Sequence, residues 1–559
     1  MCERESGLVS LPDGFDEAYA ARHGQTVLAA ALVVGATTAL GQVSLLPDGS
    51  RRLAVVGLGA GEASSDVLRR AAASAVRAVT ANPTANAHIA LSFGPLTPEQ
   101  AQAVVEGALM GSYQFAPLGQ KPAPATPAEI ILVVPEPDTA AGEGGRAGAT
   151  PLGAAATAAK DLLAPAGTIS AAAGNSAEGS PAPNLPAPGA AGLASSLAGG
   201  TAGGDALPTA PGGARPVDAT APTAAPESPL AAAVAVGETV ARAVARACDW
   251  VNQPPNLLGP AELAAAAAAL AKQSGLTVET ADEAALAARG FGGLLAVGGG
   301  SVRPPRLVQV TWAPPAAHTS VALVGKGIVF DSGGLNLKPL SGMATMKSDM
   351  AGAAACLAAI AAAAELNLPV KVTAWLALAE NLPSGSAYRP SDVITVYGGV
   401  TVENHNPDAE GRIVLADALA RAAEDAPDLI LDVATLTGAC VVALGNQTMG
   451  LMASDASVAA QVLAAAEAAG EPAWRLPITE EAAAALASQT ADLKSGGKRE
   501  GGALLAAAFL RHFTAGRPWA HLDIAGPAFL AGDPSRSQTA GATGAGVRTL
   551  IALLRAAAG

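Results

Sequence analysis

The chain has 559 residues, of which 50% are hydrophobic and only 3% aromatic, and its formal net charge is −14 at pH 7. This length is enough for two or three domains of ordinary size. Lysine and arginine are scattered along the sequence, which argues against a nucleic-acid partner, since those proteins carry a basic stripe, and against binding to an anionic membrane.

The N-terminus and the cysteines indicate a reducing compartment. The first ten residues, MCERESGLVS, lack the basic start and apolar run of a signal peptide. The apolar stretch from Thr26 to Leu40 is shorter than the roughly 20 residues of a membrane span, and we interpret it as a core strand and its turn. The four cysteines include no CxxC pair, so we expect no disulfide scaffold and a cytoplasmic location. They are Cys2, Cys248, Cys356 and Cys440.

Residues 1–136 are predicted to form a small α/β domain. Four apolar runs are interpreted as strands, namely TVLAAALVVG, RLAVVGLGAG, AHIALSFG and AEIILVVPE. Between two of them, SSDVLRRAAASAVRAVTA has the spacing of an amphipathic helix, and such alternation is typical of α/β domains. The turn GLGAGE at residues 57–62 could cradle a phosphate, but a lone glycine-rich turn is weak evidence, and an ordinary strand-to-helix turn is favoured.

Residues 137–227 are predicted to be a disordered linker. Alanine, glycine, proline, serine and threonine dominate this segment, and it contains no phenylalanine, tryptophan or tyrosine. A segment of that composition cannot bury enough apolar surface to offset the loss of chain entropy on folding.

Residues 228–559 are predicted to form the larger domain, an α/β fold with a mixed sheet flanked by helices. The predicted strands are RLVQVTW, VALVGKGIVF, VKVTAWLALA, DVITVY, DLILDVAT and AHLDIA, and helices are predicted between them, for example over residues 349–366 and 413–424. Continuous apolar strands indicate a sheet that is covered on both faces. In such sheets ligands bind at the carboxyl ends of the strands.

The first group of polar residues in this domain lies in VALVGKGIVFDSGGLNLKP, residues 321–339. Lys326 lies within an apolar strand, where a charge is costly unless it is compensated. Lys326 and Asp331 are an odd number of residues apart, so a straight strand would point them to opposite faces. A bend at Gly325 and Gly327 could bring them together. An edge-strand lysine beside an ordinary glycine-rich turn is the alternative, and this segment alone does not decide.

Two further segments contribute acidic residues. Asp349 precedes the helical run AGAAACLAAI, where a helix N-cap is the favoured interpretation of that residue alone. In NHNPDAEGRIVLADAL, Asp408, Glu410 and Arg412 alternate, so in an extended chain they share one side. Two carboxylates so close destabilise each other unless a cation intervenes, although a turn in which Arg412 pairs with them is the alternative.

Taken together, these segments predict a site for divalent metal ions. Four carboxylates carry four negative charges, which two divalent ions would neutralise. Oxygen ligands suit Mn²⁺ or Mg²⁺, and Zn²⁺ also accepts carboxylates. A metal-bound lysine would have to be a neutral amine, with its pKa lowered by the cations. The candidate ligands are Lys326, Asp331, Asp349, Asp408 and Glu410.

The chain resembles the cytosol aminopeptidases, the leucyl aminopeptidases of the di-metal type. The matching stretches are GKGIVFDSGGLNLKP, MKSDM, ENLPSGSAYRPSDVITVYGG, NPDAEGRIVLADAL, DVATLTGA and WAHLDIAGPA. Their order and spacing match the family across residues 237–559, and NPDAEGR is the most specific motif. The N-terminal zone resembles the family's N-terminal α/β domain only loosely, and the linker is not a feature that the family requires.

The resemblance implies an enzyme that releases leucine and other N-terminal residues from peptides by means of hydroxide activated by two metal ions, Mn²⁺ or Zn²⁺. It implies that Asp331 and Glu410 bridge the two ions, with Lys326 and Asp349 at one and Asp408 at the other. Lys338 and Arg412 match the family's catalytic positions. Lys338 would stabilise the oxyanion, and Arg412 would hold a bicarbonate that moves a proton.

The resemblance also implies contacts with the substrate and an oligomeric state. The peptide substrate would be bound by residues at five family positions, which are Asn406, Met346, Thr435, Leu436 and Gly438. The assembly would be a homo-oligomer, a hexamer. The segment Ala344–Thr345 and Pro407 depart from the family, and Pro407 favours an extended Asn406, so the side-chain preference is less predictable than the chemistry.

Three other functions are weighed against this hypothesis. Residues 1–136 could form a nucleotide-binding module through the turn at residues 57–62. The chain could be a catalytically silent scaffold, although the set of matching polar residues is intact. It could also be another di-metal hydrolase such as a dipeptidase, which the specific motifs disfavour.

Overall fold

The computed structural model of the chain describes residues 15–34, 36, 39–48, 51–59, 63–81, 88–116, 129–133, 168–169, 228–497, 500–532 and 534–559. The N-terminal part begins with two helices and a β-hairpin. These elements are α1 (Phe15–His23), α2 (Val27–Val33), β1 (Val43–Asp48) and β2 (Arg51–Val56).

The apolar run after Thr26 forms helix α2 instead of the predicted core strand. Periodicity cannot assign a short apolar run to helix or strand, and this one is rich in alanine and leucine, which favour helices. Val27, Ala30 and Ala31 are all buried, which is the i, i+3, i+4 spacing of one helical face.

A second layer of the N-terminal part pairs two helices with a small sheet. It consists of α3 (Ser65–Thr80), β3 (His88–Ser92), α4 (Pro98–Ser112), β4 (Glu129–Val133) and β5 (Thr168–Ile169). Strand β4 pairs in parallel with β3 and antiparallel with β5. Helices α3 and α4 cross closely at Gly107, where an added Cβ would lie 2.0 Å from the carbonyl oxygen of Arg69. The predicted helix and the three strands at β2, β3 and β4 are confirmed.

Two predictions in this half fall largely outside the described residues. Of the predicted linker at 137–227, only β5 lies within them. Of the turn at residues 57–62, residues 60–62 lie outside them, so the phosphate-binding alternative stays a prediction.

The C-terminal part is built on one large sheet. Its strands are β6 (Thr277–Ala281), β7 (Arg306–Trp312), β8 (Ser320–Asp331), β9 (Lys371–Asn381), β12 (Leu429–Ala434), β13 (Met449–Ala453), β14 (Ala473–Arg475) and β16 (Trp519–Asp523). Their order is β14-β13-β16-β12-β8-β9-β7-β6. The central neighbours β16, β12, β8 and β9 run in parallel, and antiparallel pairs lie toward both edges. The predicted mixed sheet is confirmed.

Helices cover both faces of this sheet, as predicted. They are α5 (Pro229–Asn252), α6 (Pro260–Gln273), α7 (Glu283–Arg289), α8 (Gly292–Gly298), α9 (Leu340–Met343), α10 (Ala351–Glu365), α11 (Glu410–Glu424), α12 (Gly438–Leu444), α13 (Ala456–Ala469), α14 (Glu480–Ala484), α15 (Gly502–Arg511) and α16 (Val547–Ala557). One apolar cluster includes α5, α6, α10, α13 and α16, and the other includes α7, α8, α11 and α15.

Two minor sheets complete the domain. The first contains β10 (Val393–Thr395), β11 (Thr401–Glu403) and β15 (Leu493–Lys494), and the second contains β17 (Phe529–Leu530) and β18 (Gly541–Ala542). The strand predicted at DVITVY is therefore present as β10, but it belongs to the first minor sheet and not to the large one.

Helix α10 lies deep in the core. Every residue from Ala351 to Ala363 is buried, and an added Cβ at Gly352 would lie 2.0 Å from the carbonyl oxygen of Val433. The stretch Leu340–Glu365 is apolar and long enough to cross a membrane by length and composition, but 89% of its apolar window is buried inside the protein. This is the behaviour of a core helix.

Strand β8 carries Lys326 and ends at Asp331, and it lies at the centre of the sheet between β12 and β9. The edge-strand alternative for Lys326 is therefore wrong. The register of β8 against β9 shifts between Ile328 and Phe330. One extra residue in a strand reverses the side to which the following side chains point, so this irregularity resolves the odd spacing between Lys326 and Asp331.

The two glycines beside Lys326 allow close packing and do not produce the predicted bend. An added Cβ at Gly325 would lie 2.5 Å from Ala353 Cα, and one at Gly327 would lie 2.8 Å from the carbonyl oxygen of Ala377. Both contacts are too short for a real Cβ. The glycines therefore allow α10 and β9 to approach β8 closely, and the register shift lies further along the strand.

Candidate metal centre

Lys326 is 2% exposed and lies among oxygen atoms. Its Nζ is 2.8 Å from Asp349 Oδ1 and 2.8 Å from Glu410 Oε1. It also donates a hydrogen bond to the carbonyl oxygen of Thr435 at 2.8 Å. Gly411 makes room for it, because an added Cβ there would lie 2.8 Å from the same nitrogen. Through these contacts, Lys326 on β8 connects the turn before α10, the start of α11 and the residue after β12.

Lys338 lies on the other side of the acids, on the loop that follows β8. Its Nζ is 2.8 Å from Asp331 Oδ2 and also contacts Asp408 Oδ1. The loop turns back through Gly333 at φ +87° and Gly334 at φ +59°, a left-handed region that glycine enters without strain. The backbone N–H of Lys338 then donates to the carbonyl oxygen of Ser332 at 2.9 Å.

The acids converge on one point. Asp331, Asp408 and Glu410 each offer a carboxylate oxygen, and the three oxygens all lie within 4.8 Å of one another. Asp349 Oδ2 and Glu410 Oε2 are buried and have no hydrogen-bond partner. With all four acids ionised, the acids and the two lysines would carry −4 and +2 charges, which leaves −2. Buried oxygens without partners are costly, and this donor set fits divalent cations.

Burial and mutual repulsion perturb the acids. Burial, aided by the charge of Glu410, raises the pKa of Asp331 to about 6. Burial also raises the pKa of Asp349 to about 8, although the nearby Lys326 opposes this. Burial would raise the pKa of Glu410 too, but Lys326 and Lys338 outweigh it and hold that pKa below its usual value. The centre is therefore short of positive charge.

The neighbouring carboxylates raise the pKa values of both lysines. Burial alone would lower the pKa of Lys326, but Asp349, Glu410 and Asp331 together hold it well above its usual value. The same balance, with Asp331 and Glu410 as the main neighbours, raises the pKa of Lys338. Both side chains are ammonium groups at neutral pH in this arrangement.

Arg412 is buried beside the acids, on the first turn of α11. Its Nη1 donates to the carbonyl oxygen of Ser495 at 2.8 Å, and its Nε has no partner. Burial lowers the pKa of Arg412 to about 10, so it stays charged at neutral pH. The ion pairs of Asp408 and Glu410 are made with lysines, and the predicted alternative of a turn closed by Arg412 is wrong.

The helix-cap interpretation of Asp349 is also wrong. Helix α10 begins at Ala351, and its N-cap is Met350, which makes no side-chain cap bond. The carboxylate of Asp349 instead accepts a hydrogen bond from Thr435 Oγ1 at 2.6 Å and pairs with Lys326. The side chain of Asp349 therefore points toward Lys326 and does not cap the helix.

The residues predicted to contact substrate flank this cluster. Asn406 has the extended conformation expected before Pro407, with φ −153° and ψ 117°, and its Oδ1 accepts from Asn336 Nδ2 at 2.7 Å. Met346 begins the single 3₁₀ turn before Asp349. The remaining three, Thr435, Leu436 and Gly438, lie on the segment from the end of β12 to the start of α12.

Sequence reasoning missed two polar side chains that hold the acids in place. Asn381, at the end of β9, donates from Nδ2 to Asp331 Oδ1 at 2.8 Å and to the carbonyl oxygen of Pro407 at 3.0 Å. Tyr388 donates its hydroxyl to the same carbonyl at 2.6 Å. Asn381 could have been found, because it is a polar residue at the carboxyl end of an apolar strand, which is also the place of Asp331.

Comparisons with known proteins agree with this geometry. Residues 245–551 match the model of the cytosol aminopeptidase family, catalytic domain, and residues 7–121 match that of the same family's N-terminal domain. A probable cytosol aminopeptidase of Cutibacterium acnes is 58% identical over 57% of this chain, and the chain spans only 63% of that protein. One of Streptomyces griseus is 43% identical over 95% of this chain and 90% of its own.

A solved structure extends the comparison to three dimensions. The bottromycin maturation enzyme BotP in complex with Mn is 35% identical, with a TM-score of 0.73, over 96% of this chain and 98% of that one. The likeness therefore extends over nearly the whole of both chains.

Proposed function

Because the chain belongs to the cytosol aminopeptidase family, we propose that it is a metal-dependent aminopeptidase that releases N-terminal amino acids, leucine among them, from peptides. The observation that carries the proposal is the convergence of three acids, Asp331, Asp408 and Glu410, with Asp349 joined to them through Lys326. Asp349 and Glu410 each keep a buried oxygen without a partner. The names of the relatives support a cytoplasmic location.

The acids and Lys326 are the proposed ligands of two divalent ions, and Lys326 would bind as a neutral amine after the cation lowers its pKa and displaces its proton. Asp331 and Glu410 would bridge the ions, with Lys326 and Asp349 completing one site and Asp408 the other. The donor set supports Mn²⁺ or Zn²⁺, and the complex of BotP with Mn supports the former. When bound, such a pair supplies Lewis-acid polarisation of a carbonyl and an activated water.

Lys338 is the proposed electrostatic catalyst. Its ammonium lies at the edge of the cluster, paired with Asp331 and Asp408, and its raised pKa keeps it charged at neutral pH. A fixed positive charge at that position would stabilise the negative oxygen that develops on the scissile carbonyl. The lysine needs no proton transfer to do so.

Arg412 is the proposed anchor for a bicarbonate ion. The guanidinium is buried and charged, is held by the carbonyl oxygen of Ser495, and has an Nε–H without a partner. A guanidinium cannot accept a proton at neutral pH, whereas bicarbonate can carry one. Arg412 would therefore position the proton carrier and would not act as the base itself.

The side chains proposed to contact the substrate lie around the acids on three segments. Asn406 and Met346 precede the acids Asp408 and Asp349, and Thr435, Leu436 and Gly438 follow β12. An added Cβ at Gly438 would meet no atom within 4 Å, which supports open space for a substrate side chain there. We propose that the assembly is a homo-oligomer, a hexamer by family resemblance, and light scattering would measure its mass.

Hydrolysis of aminoacyl-amides tests the function. Purified protein with added Mn²⁺ is expected to hydrolyse leucyl-amide and related substrates, and a chelator is expected to abolish this activity until Mn²⁺ is restored. N-terminally acetylated substrates serve as the control, because an aminopeptidase needs a free α-amine. Activity that persists in chelator, or that is equal on acetylated substrates, would reject the proposal.

A further inference from the structure

The segment that joins β12 to α12, residues 435–437, is held from two sides. On the side of the acids, the carbonyl oxygen of Thr435 accepts a hydrogen bond from Lys326 at 2.8 Å, and its hydroxyl donates to Asp349 at 2.6 Å. On the other side, the segment is bonded to Asp523, the last residue of β16. The proposed metal centre thus holds Thr435, and Asp523 holds the next two residues of the same short segment.

Asp523 accepts four hydrogen bonds and is fully buried. Its Oδ1 accepts from the backbone N–H groups of Leu436 at 3.2 Å, Thr437 at 3.5 Å and Ala525 at 3.1 Å. Its Oδ2 accepts from Thr437 Oγ1 at 2.7 Å. Every partner is a donor, and an ionised carboxylate is the side chain that offers only acceptor sites.

Thr437 depends on this acid for its own role. Its Oγ1 accepts the backbone N–H of Cys440 at 3.0 Å and so caps α12. A hydroxyl that accepts from the helix needs an acceptor for its own proton, and Asp523 provides it. The carboxylate therefore determines both the path of residues 436–437 and the start of α12 at Gly438.

We propose that Asp523 is a positioning residue that fixes the pocket wall for the substrate's N-terminal side chain and so sets which N-terminal residues are accepted. The inference rests on the proposed function, in which Thr435, Leu436 and Gly438 contact that side chain. A pocket discriminates between side chains that differ by one or more methylenes only if its wall is held in place, and such differences are worth about 10- to 200-fold.

A second buried acid provides the matched control. Asp432 is also fully buried and lies on β12, the strand that pairs with β16. Its carboxylate contacts Trp519 Nε1 and His521 Nδ1, both on β16. These bonds link two strands and do not reach residues 435–437. Loss of its charge tests the effect of removing a buried acid from this sheet without touching the proposed wall.

The experiment compares Asp523→Asn with Asp432→Asn in the full chain loaded with Mn²⁺. An asparagine keeps the shape of aspartate but replaces one acceptor by a donor, so at least one of the four donors loses its acceptor. For Asp523→Asn we expect the ratio of kcat/KM on leucyl-amide to that on alanyl-amide to change by at least about tenfold. For Asp432→Asn we expect this ratio to stay at its wild-type value.

A second readout needs no substrate. Hydrogen exchange of the backbone N–H groups of Leu436 and Thr437 is expected to accelerate in Asp523→Asn and to be unchanged in Asp432→Asn. Equal loss on both substrates, or unchanged exchange, would overturn the inference. If Asp523→Asn does not fold, Thr437→Val removes both the Oδ2 partner and the cap bond to Cys440, leaves the backbone donors to Oδ1 in place, and carries the same expectation for the selectivity ratio.

The outcome is separable from that of the proposed function. A wild-type chain that hydrolyses neither substrate rejects the proposed function. A wild-type chain that is active, with a selectivity ratio that Asp523→Asn leaves unmoved, rejects only the role of Asp523.

Discussion

Two clusters of charged side chains in this molecule differ in how the oxygens of their acids are hydrogen-bonded. The first is the acidic cluster of the candidate metal centre, formed by Asp331, Asp349, Asp408 and Glu410. The second, which we call the junction cluster, contains Arg69 and Glu106 of the N-terminal part and Glu471 and Arg548 of the C-terminal part. All four residues of the junction cluster are buried.

In the junction cluster every acid oxygen has a donor. Glu106 accepts from Arg69 Nε at 2.8 Å and from Gln102 Nε2 at 2.7 Å. Glu471 accepts from the backbone N–H groups of Gly546 at 3.2 Å and Thr549 at 2.8 Å. In the metal centre, by contrast, Asp349 and Glu410 each keep an oxygen without a partner.

The contrast separates acids whose oxygens are all hydrogen-bonded within the protein from acids that we propose to be metal ligands. Burial alone does not distinguish them, because Asp331, Asp349 and Glu410 are as buried as the residues of the junction cluster, although Asp408 is partly exposed. The distinction lies in whether each oxygen has its hydrogen bonds within the protein. Removing an acid from the junction cluster should therefore change stability, and changes at the metal centre should alter ligand binding and turnover.

The largest effect is expected for Lys338→Ala. Loss of the ammonium that faces the developing oxyanion should lower kcat by about 10²–10³, while metal content stays at the wild-type value because no ligand is lost. Lys347→Ala is the matched control, since that ammonium donates to the carbonyl oxygen of Asn252. Wild-type turnover in Lys338→Ala would remove this lysine from the mechanism.

The next effect is on stability, for Glu106→Gln in the junction cluster. The substitution removes the close countercharge of buried Arg69 at 2.8 Å and leaves only the longer pair with Asp66 at 3.7 Å, which should lower the free energy of unfolding by about 3 kcal/mol. Urea denaturation would measure the loss, and the kcat of the folded protein should not change. An unaltered free energy of unfolding would show that this pair does not hold the N-terminal part.

Asp408→Asn should weaken metal binding by at least roughly tenfold. Changes to residues that only support the ligands already cost that much, and Asp408 is a proposed ligand itself. Elemental analysis after dialysis against a series of Mn²⁺ concentrations would measure it. The control is Asp417→Asn, another acid of the same region, whose oxygens accept from the backbone N–H groups of Leu294 and Tyr397. This control should lose stability and keep its metal. Full metal content in Asp408→Asn would contradict the assignment.

The last expected effect is a pH dependence of the metal-free protein. The folded-state pKa values of Asp331, about 6, and Asp349, about 8, lie above those of an unfolded chain. The unfolded state therefore releases these protons first, and stability should fall as pH rises from about 4 toward 8. One such group contributes a slope of at most about 1.4 kcal/mol per pH unit.

Added Mn²⁺ should flatten this slope, because a bound cation favours the ionised carboxylates. Thermal denaturation over the pH series, with and without Mn²⁺, would measure both effects. A metal-free protein that becomes more stable across this range would contradict the electrostatic description of the acidic cluster.

The sequence predicted the architecture of the C-terminal part and the members of the acidic cluster. Continuous apolar strands such as β8 and β9 are unambiguous, and polar residues at their carboxyl ends mark the ligand crevice. Asp349 was grouped with Asp408 and Glu410 because so many carboxylates require compensating cations, and the family resemblance gave the same set. No local pattern joins residues so far apart in sequence.

Other features were beyond local reasoning. The composition of the apolar run at residues 27–33 is compatible with a helix or a strand. Only the burial of Val27, Ala30 and Ala31 on one face shows that it forms helix α2. The register shift between Ile328 and Phe330 depends on how β9 pairs with β8. The role of Asp523 needs the contact between the end of β16 and residues 435–437, which no motif encodes.

The number of Mn²⁺ ions bound per chain tests the central claim most directly, when it is measured by elemental analysis of the wild type and of the double variant Asp331→Asn, Glu410→Gln. We predict two ions in the wild type and loss of both in a double variant that folds normally, since the two proposed bridging carboxylates are gone. A wild-type chain that hydrolyses aminoacyl-amides with no ion bound, or a double variant that keeps both ions, would contradict it.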